Sequence, residues 1–187
     1  MNKKKVILVT DGDKTAKEVI EKVSDQLDLR VISKSGGNPT PYSGQQLLEM
    51  IAECPTDPVV VMFDDNGSRD CGSGEKALEV VGSSSEVKVL GVLAVASDTE
   101  DVVGIDPDFS ITNQGEIVTG PVDKEGTAEA KNHKILEGDT VDVINGFDKS
   151  IVVGVIGIGD IGKMKGKDAQ GSITYKALEE ILKRSGR

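Results

Sequence analysis

Four apolar runs in this chain end abruptly at acidic or small residues. The runs are residues 6–9, 59–63, 89–96 and 151–156. Runs this short, rich in Val and Ile and without polar alternation, are typical of strands buried on both faces of a parallel sheet. The segments that follow them are Thr10-Asp11-Gly12-Asp13, Asp64-Asp65-Asn66-Gly67, Ser97-Asp98 and Gly157-Ile158-Gly159-Asp160. Because ligands bind beyond the carboxyl ends of parallel strands, we predict that these acids gather at one edge of the sheet.

Helical periodicity fills most of the intervals between these runs. Apolar residues fall on one helical face in residues 16–27, 47–51 and 77–81, and again in residues 175–182. Residues 29–33 have the composition of a further short strand. Strands that alternate with helices and are joined by right-handed crossovers form a parallel sheet with helices on both faces. We therefore predict an α/β fold with a doubly wound, mostly parallel sheet of about five strands, of the Rossmann-like or flavodoxin-like kind.

The pattern of alternating apolar strands and amphipathic helices is interrupted between residues 101 and 150. Here isolated apolar pairs stand between turn signals, and residues 110–119 have the pattern of a hairpin around Asn113-Gln114-Gly115. Residues 141–144 indicate another short strand. A structureless loop of this length is unusual inside a compact domain. We predict a hairpin-rich antiparallel insertion before the last strand, packed on the side or tip of the sheet, within a single domain of residues 1–187.

Charge and composition restrict the function further. The chain of 187 residues has a formal net charge of −10, which argues against a nucleic-acid partner because phosphate binding needs a basic surface. No apolar run approaches the roughly 20 residues of a transmembrane helix, and the run after Asn2-Lys3-Lys4-Lys5 is too short for a secretion signal. We expect a soluble, cytoplasmic protein. Cys54 and Cys71 lack metal-binding or redox spacing, so two reduced thiols are expected.

Several segments together resemble a known family. In chain order they are VILVTDGD, GNP, VMFDDNG, GSGEKAL, VLGVLAVAS, VDKEG, GDTV, GIGDIGKM and SITYKALEEILKRSG. This series resembles the stage V sporulation protein AE family, and more narrowly its soluble member. The resemblance is collinear from Val6 to about Gly186.

The resemblance implies a process rather than a reaction. The family belongs to the sporulation stage V A set of spore-forming Firmicutes, most of whose members are membrane proteins. That set moves calcium dipicolinate into the developing spore and releases it at germination. By this resemblance the chain is a soluble, non-catalytic component, peripheral to the spore inner membrane. Its implied partners are other stage V A proteins, with calcium dipicolinate as a candidate ligand. The resemblance carries over no catalytic residues, and the oligomeric state stays open.

The strand-end acids allow two interpretations. Asp11, Asp13, Asp64, Asp65 and Asp160 would repel one another unless a cation or a basic side chain neutralises them. Oxygen ligands of this kind suit Mg²⁺ or Ca²⁺. The alternative is that they cap the helices that follow, as Asp commonly does. Both interpretations remain open from the sequence.

Some of these positions are similar in order to those of phosphate-transfer domains. Receiver domains have an acid pair after the first strand, then an Asp, a Ser or Thr, and a Lys, which here correspond to Asp11 or Asp13, Asp64, Ser97 and Lys163. Toprim domains are a weaker match, because Thr10-Asp11 replaces their Glu. This likeness is one of fold and does not establish function. It supplies an alternative to the family function, namely a metal- or small-ligand-binding regulator or a phosphotransfer-like enzyme.

A glycine-lysine loop is the remaining candidate. Gly157, Gly159 and Gly162 satisfy G-x-G-x-x-G, but a dinucleotide site needs a helix to begin immediately afterwards, and the predicted helix begins only near Ser172. The same loop contains Lys163, Lys165 and Lys167, which would suit an anion or an acidic partner surface. The alternative is a solvated lysine loop. His133 is the single histidine and lies outside any recognisable nucleophile or zinc pattern, so acyl transfer and zinc chemistry have no support. The failed dinucleotide context, the missing toprim Glu and the net negative charge lead us to expect no turnover on nucleotides, phosphoesters or nucleic acid.

Overall fold

A seven-stranded sheet lies at the centre of the part of the chain that the computed structural model describes, residues 3–67, 71–98, 102–148 and 154–186. Its strands are β1 (Lys4–Val9), β2 (Arg30–Val31), β3 (Val59–Met62), β4 (Val87–Val95), β5 (Phe109–Ile111), β6 (Ile117–Val118) and β7 (Val155–Ile158). The helices are α1 (Lys14–Gln26), α2 (Gly44–Glu53), α3 (Ser73–Gly82) and α4 (Ser172–Arg184). None of the described helices is both long and apolar enough to cross a membrane.

The sheet is mostly parallel and open, as predicted. Its strand order is β2-β3-β1-β4-β7-β5-β6. Every neighbouring pair is parallel except β5 and β6. In the centre Val6 of β1 lies opposite Val59 of β3 and Val89 of β4. This register aligns the carboxyl ends of the central strands at one edge of the sheet.

Helices cover both faces of the sheet, which confirms the doubly wound arrangement. Successive side chains of a strand point to opposite faces, so Val6 and Leu8 pack under α2 and α3 while Ile7 and Val9 pack under α1 and α4. All four of these side chains are fully buried. The uninterrupted apolar run therefore forms a strand with two buried faces and no polar alternation.

The strand order differs from both folds named at the sequence level. Rossmann sheets run 3-2-1-4-5 and flavodoxin-like sheets 2-1-3-4-5, whereas here β3 lies between β2 and β1. The four residues of β3 are all buried, but β2 has only two residues, and Arg30 in it is exposed. A short, partly polar strand suits a sheet edge, where one side has no partner strand.

A crevice opens where the connections leave the sheet in opposite directions. The chain after β1 enters α1 on one face, whereas the chain after β3 enters α3 on the other. Since β1 and β3 are neighbours, the two connections diverge at the carboxyl ends of these strands. A divergence of this kind forms the ligand crevice of open α/β sheets.

The predicted hairpin is present as β5 and β6, but its predicted location is wrong. Strand β5 pairs in parallel with β7, so the hairpin extends the sheet and does not pack on its side or tip. Apolar residues of the insertion join both cores, Phe109 on the α4 face and Phe147 against α3. Burying these rings fixes the segment to the sheet edge.

The short strand predicted at residues 141–144 is also wrong. Residues Asp142–Gly146 form a 3₁₀ helix. The carboxylate of Asp142 accepts hydrogen bonds from the backbone N–H groups of Val103 (3.0 Å) and Gly104 (2.7 Å). Thr140, just before it, has a φ of +67°. A β-branched residue in this region ends any extended run.

The last strand ends later than predicted. Strand β7 continues through Gly157 and Ile158, which lie opposite Ala94 and Val95 of β4. The first residues of the predicted run, 151–153, lie outside the described residues. Gly157 thus belongs to the sheet and not to the loop that follows.

Candidate functional site

The structure brings four of the five predicted acids to one cleft at the carboxyl ends of the strands. The cleft measures about 270 Å³, and its wall includes Asp11, Asp13, Asp64 and Asp160. The other lining residues are Thr10, Asn38, Gly67, Val95, Ala96, Ser97, Asp98, Asp139 and Lys163. The cleft lies at the crevice between the diverging connections. Its carboxylates differ sharply in their surroundings.

Asp11 is the most deeply buried acid of the cleft wall after Asp64. It follows β1 directly and is 9% exposed. One oxygen, Oδ1, accepts the N–H of Asp13 at 3.2 Å. Burial, reinforced by the negative charges of Asp13, Asp64 and Asp160, raises the pKa of Asp11 to about 8. Its carboxyl group is therefore mostly protonated at neutral pH unless a cation approaches it.

Asp64 is held by backbone donors. Its Oδ2 accepts the N–H of Gly12 at 3.2 Å, and its Oδ1 accepts the N–H of Asn66 at 2.9 Å. Burial raises the pKa of Asp64 to about 6 despite these two bonds. Asp64 thereby ties the turn after β1 to the turn after β3, so it has a structural role as well as a place in the cleft wall.

Asp65 points away from the cleft and caps a helix. Its carboxylate accepts the N–H groups of Gly74 and Glu75 at the start of α3. Free N–H groups at a helix N-terminus are commonly satisfied by an Asp in this way. For Asp65 the capping interpretation is correct.

Asp13 and Asp160 share one lysine. The Lys163 ammonium lies 2.9 Å from Oδ2 of Asp13 and 3.1 Å from Oδ1 of Asp160. The other oxygen of Asp13 caps α1 by accepting the N–H of Ala16 at 2.8 Å. Burial alone would raise the pKa of Asp13, but the Ala16 N–H and Lys163 outweigh it and hold the pKa below its usual value. At Asp160 the effect of burial outweighs that of Lys163, so the pKa of Asp160 is raised.

Two further acids line the cleft, of which Asp98 was predicted only as a strand-end residue and Asp139 was not singled out from the sequence. Asp139 reaches across from the insertion, and its Oδ2 accepts the N–H groups of Asp65 (3.3 Å) and Gly67 (2.8 Å). Burial raises its pKa. Asp98, at the end of β4, pairs with Lys124. The sequence feature that could have pointed to Asp139 is the turn Gly138-Asp139-Thr140. Many turns of similar sequence have no ligand, so this feature is not specific.

The glycines of the predicted glycine-lysine loop have packing roles. A Cβ on Gly157 would lie 2.2 Å from Oγ of Ser110, and one on Gly159 would lie 2.6 Å from the backbone nitrogen of Gly126. Gly162 has a φ of +75°. These glycines are required by close backbone approach and turn geometry. The chain does not enter a helix directly after them, since α4 begins at Ser172, so the dinucleotide context is missing as expected.

The three lysines of this loop have different surroundings. Lys163 is pinned between two carboxylates. Lys165 and Lys167 are exposed, and no hydrogen bond or ion pair of their side chains occurs among the described residues. The loop thus presents two free ammonium groups and not three.

A buried acid that sequence reasoning missed fixes the end of the same loop. Asp168 is 0% exposed. Its Oδ1 accepts the N–H groups of Ile173 (2.8 Å) and Thr174 (3.1 Å), and its Oδ2 accepts the Gly162 N–H (2.9 Å) and the Thr174 hydroxyl (2.6 Å). Asp168 therefore caps α4 and closes the loop.

The cleft does not form a chelating metal centre as it stands. Among the described residues, no three His, Cys, Asp or Glu side chains are arranged to hold a metal ion. The receiver-like residues Asp11, Asp64, Ser97 and Lys163 do line one cleft. However, Lys163 contacts Asp13 and Asp160, and the oxygens of Asp64 accept backbone N–H groups.

Comparison with known proteins gives the family. A family model described as Stage V sporulation protein AE1 matches residues 5–185 of the chain. The chain belongs to this family. Membership in the stage V sporulation protein AE1 family implies a role in stage V of sporulation. No match was found among curated proteins or among solved structures.

Proposed function

We propose that this member of the AE1 family is a peripheral, non-catalytic component of the machinery that takes up calcium dipicolinate during sporulation and releases it at germination. The observation that carries the proposal is the family match over residues 5–185, which covers all the described strands and helices except the first residue of β1. The partners are the membrane-embedded proteins of the sporulation stage V A set. On this proposal the protein works at the surface of the spore inner membrane.

The exposed lysines after β7 are the proposed docking element. Lys165 and Lys167 flank Gly166, which has a φ of +83°, and they stand out on a chain of net charge −10. Ammonium groups free of internal partners are suited to an acidic partner surface or to a dicarboxylate. Attraction of this kind weakens at high salt, because exposed charges are screened over roughly 10 Å at 0.1 M.

The docking element is tested by capture from spore inner-membrane extracts. The double variant Lys165→Gln/Lys167→Gln should capture less of the stage V A proteins than the unaltered chain, and the difference should shrink as salt is added. The control is Lys131→Gln/Lys134→Gln, an equally exposed pair with similar spacing. Equal capture by both variants at low salt would remove this loop from the interface.

A second candidate function is a ligand-binding regulator that uses the cleft. It is favoured by Asp11, a nearly buried carboxyl group that lines the cleft together with five other acids. A ligand that binds only the folded chain raises its melting temperature by mass action. Titration with Mg²⁺, Ca²⁺, dipicolinate and acetyl phosphate separates a metal site, a dicarboxylate site and phosphotransfer chemistry. No response to any of them would restrict the function to partner docking.

A further inference from the structure

A second cavity lies at the opposite end of the sheet from the acidic cleft. It measures about 370 Å³ and opens beside the last turn of α4, at the amino ends of β5 and β7. A cavity of this size is in the range of small-molecule sites. The functions proposed above use none of its residues.

The floor of this cavity is apolar. It is formed by Leu90, Phe109, Ile156 and Ile181, each of which is at most 5% exposed. All four belong to the core that packs between the sheet and α4. Because the core already holds these side chains in place, a ligand that lies on them does not have to order them.

An irregularity of β4 shapes one wall of the cavity. Successive residues of β1, Val6 and Ile7, lie opposite Val89 and Gly91 of β4. Leu90 is therefore an extra residue, as in a β-bulge, a feature that is over-represented next to active sites. Gly91 adds bare backbone to the wall, and a Cβ there would lie 2.8 Å from a side-chain carbon of α4.

Arg184 supplies a cation at the cavity wall. Its guanidinium lies over the Phe109 ring, with 3.8 Å between Cζ and the ring centroid. Stacking of this kind fixes the plane of a guanidinium group. Its Nε lies 3.8 Å from a carboxylate oxygen of Glu180, and its terminal N–H groups have no partner among the described residues. These N–H groups remain available to a ligand.

Asp108 supplies an anion at the wall of the same cavity. Its backbone N–H donates to the carbonyl oxygen of Val155 at 2.9 Å, and its Oδ2 accepts the N–H of Val155 at 2.6 Å. Its Oδ1 accepts no hydrogen bond within the described part of the chain. No ion pair joins Asp108 to Arg184, although both side chains line one cavity. The cavity thus holds a cation and an anion apart above an apolar floor.

We propose that this cavity binds a small zwitterion, a free α-amino acid with an apolar side chain. Its carboxylate accepts from the terminal N–H groups of Arg184, whose planar fork suits a carboxylate. Its ammonium group donates to Oδ1 of Asp108, and its side chain lies on the apolar floor. A dicarboxylate does not suit the cavity, because Asp108 repels its second charge.

The first test compares ligands on the unaltered chain, so it does not depend on how a variant folds. The full chain is titrated calorimetrically with L-leucine, with 4-methylpentanoate, which lacks the ammonium group, and with L-leucinamide, which lacks the carboxylate. Each analogue should bind about tenfold more weakly than L-leucine or worse, because one charged hydrogen bond is lost. If either analogue bound as tightly as L-leucine, the zwitterion assignment would be overturned.

The second test changes each charged group of the cavity. Arg184→Gln and Asp108→Asn should each weaken L-leucine binding by about tenfold. The Asn side chain keeps an oxygen that can accept the N–H of Val155. The matched controls are Lys183→Gln and Asp106→Asn, exposed neighbours that do not line the cavity, and they should leave the affinity within about twofold. Unchanged affinity in both cavity variants would overturn the inference.

The third measurement locates the ligand. In amide NMR spectra of the unaltered chain, L-leucine should shift the signals of Gly91 and Ile156, which line the cavity. The signals of Gly67 and Ser97, which line the acidic cleft, should not move. Shifts confined to Gly67 and Ser97, or no binding of L-leucine at all, would overturn the inference. Neither result bears on the docking proposal, which is tested by membrane-extract capture.

Discussion

At the scale of single residues, adjacent acids of similar chemistry have opposite electrostatic states. Asp13 gains the Ala16 N–H and the Lys163 ammonium, and its pKa falls. Asp11, two residues earlier, loses water without gaining a cation, and its pKa rises to about 8. The difference arises from the deeper burial of Asp11 and from the two partners of Asp13, the Ala16 N–H and Lys163. Lys163 is 150 residues away from Asp13 in the chain.

The burial of Asp11 should make stability depend on pH. In the unfolded chain its pKa is near 3.8, and in the folded chain it is about 8. The folded state therefore holds the extra proton between these values, and its stability falls as pH rises from about 4 to about 8. Asp11→Asn should stabilise the protein increasingly over this range, by roughly 1.4 kcal/mol per pH unit at most. Urea unfolding at several pH values measures it.

The control for this prediction is Asp25→Asn, which removes an exposed acid from α1. Its effect on the free energy of unfolding should stay small and almost constant with pH. If the stability difference between Asp11→Asn and the unaltered chain were also constant, Asp11 would be ionised in the folded state.

The sequence correctly predicted four of the five acids of the candidate cluster but not their individual partners. Asp11, Asp13, Asp64 and Asp160 follow from the ends of parallel strands, which must lie at one edge of the sheet. Asp65 and Asp139 could not be assigned, because the local sequence does not show which backbone N–H groups their carboxylates accept. The capping role of Asp168 could not be predicted from the sequence, since a buried capping acid and an exposed loop acid have the same local sequence.

At the scale of elements, α4 depends on a single carboxylate for its start. Gly171, at the N-cap position, has no side chain to accept a hydrogen bond. Asp168 accepts three hydrogen bonds from Ile173 and Thr174 of α4 in its place, and a fourth from the Gly162 N–H. Asp168→Ala should lower the free energy of unfolding by about 2–4 kcal/mol, because it leaves buried donors without partners. Chemical denaturation measures the loss.

Ser43→Ala supplies the comparison. Ser43 caps α2 with an exposed capping box, and its loss should cost only about 1 kcal/mol. An Asp168→Ala variant no less stable than Ser43→Ala would mean that water replaces the lost acceptor.

A substitution at Gly159 tests the packing of the loop between β7 and α4 at the end opposite Asp168. A methyl group there would meet the backbone nitrogen of Gly126 at 2.6 Å and the carbonyl oxygen of Lys124 at 2.8 Å. Backbone cannot move aside cheaply, so Gly159→Ala should destabilise the protein by about 1–3 kcal/mol or more. Gly146→Ala is the control, because no atom lies within 4 Å of the added carbon. A thermal shift as small for Gly159→Ala as for Gly146→Ala would disprove the close approach.

Elements with strong periodicity were predicted well, whereas the predictions failed at residues 141–144 and at the end of β7. The buried strands and the four long helices follow from apolar patterns that admit few alternatives. The 3₁₀ helix at Asp142–Gly146 could not be predicted from an apolar pattern, because its composition is typical of a strand. The hydrogen bonds that the Asp142 carboxylate accepts and the positive φ of Thr140 override that composition. The sequence placed the end of β7 too early, because Gly157 has poor strand propensity. In the structure Gly157 nevertheless pairs with β4 within the sheet.

At the scale of the whole molecule, the layer architecture was predictable and the strand order was not. Alternating strands and helices require a parallel sheet with two covered faces. Whether β2 or β3 lies beside β1 depends on which of them can be buried on both sides, and the sequence pattern ranks them only weakly. The hairpin of the insertion was recognised locally, but its pairing with β7 is a contact between distant segments.

The central proposal is that this member of the stage V sporulation protein AE1 family serves the movement of calcium dipicolinate in spores. The most direct test is the time course of dipicolinate release from germinating spores whose chromosomal copy of the sequence is deleted, together with their initial dipicolinate content. The account predicts lower content or slower release, restored by the unaltered chain and restored less well by Lys165→Gln/Lys167→Gln. Content and release identical to those of unaltered spores would contradict it.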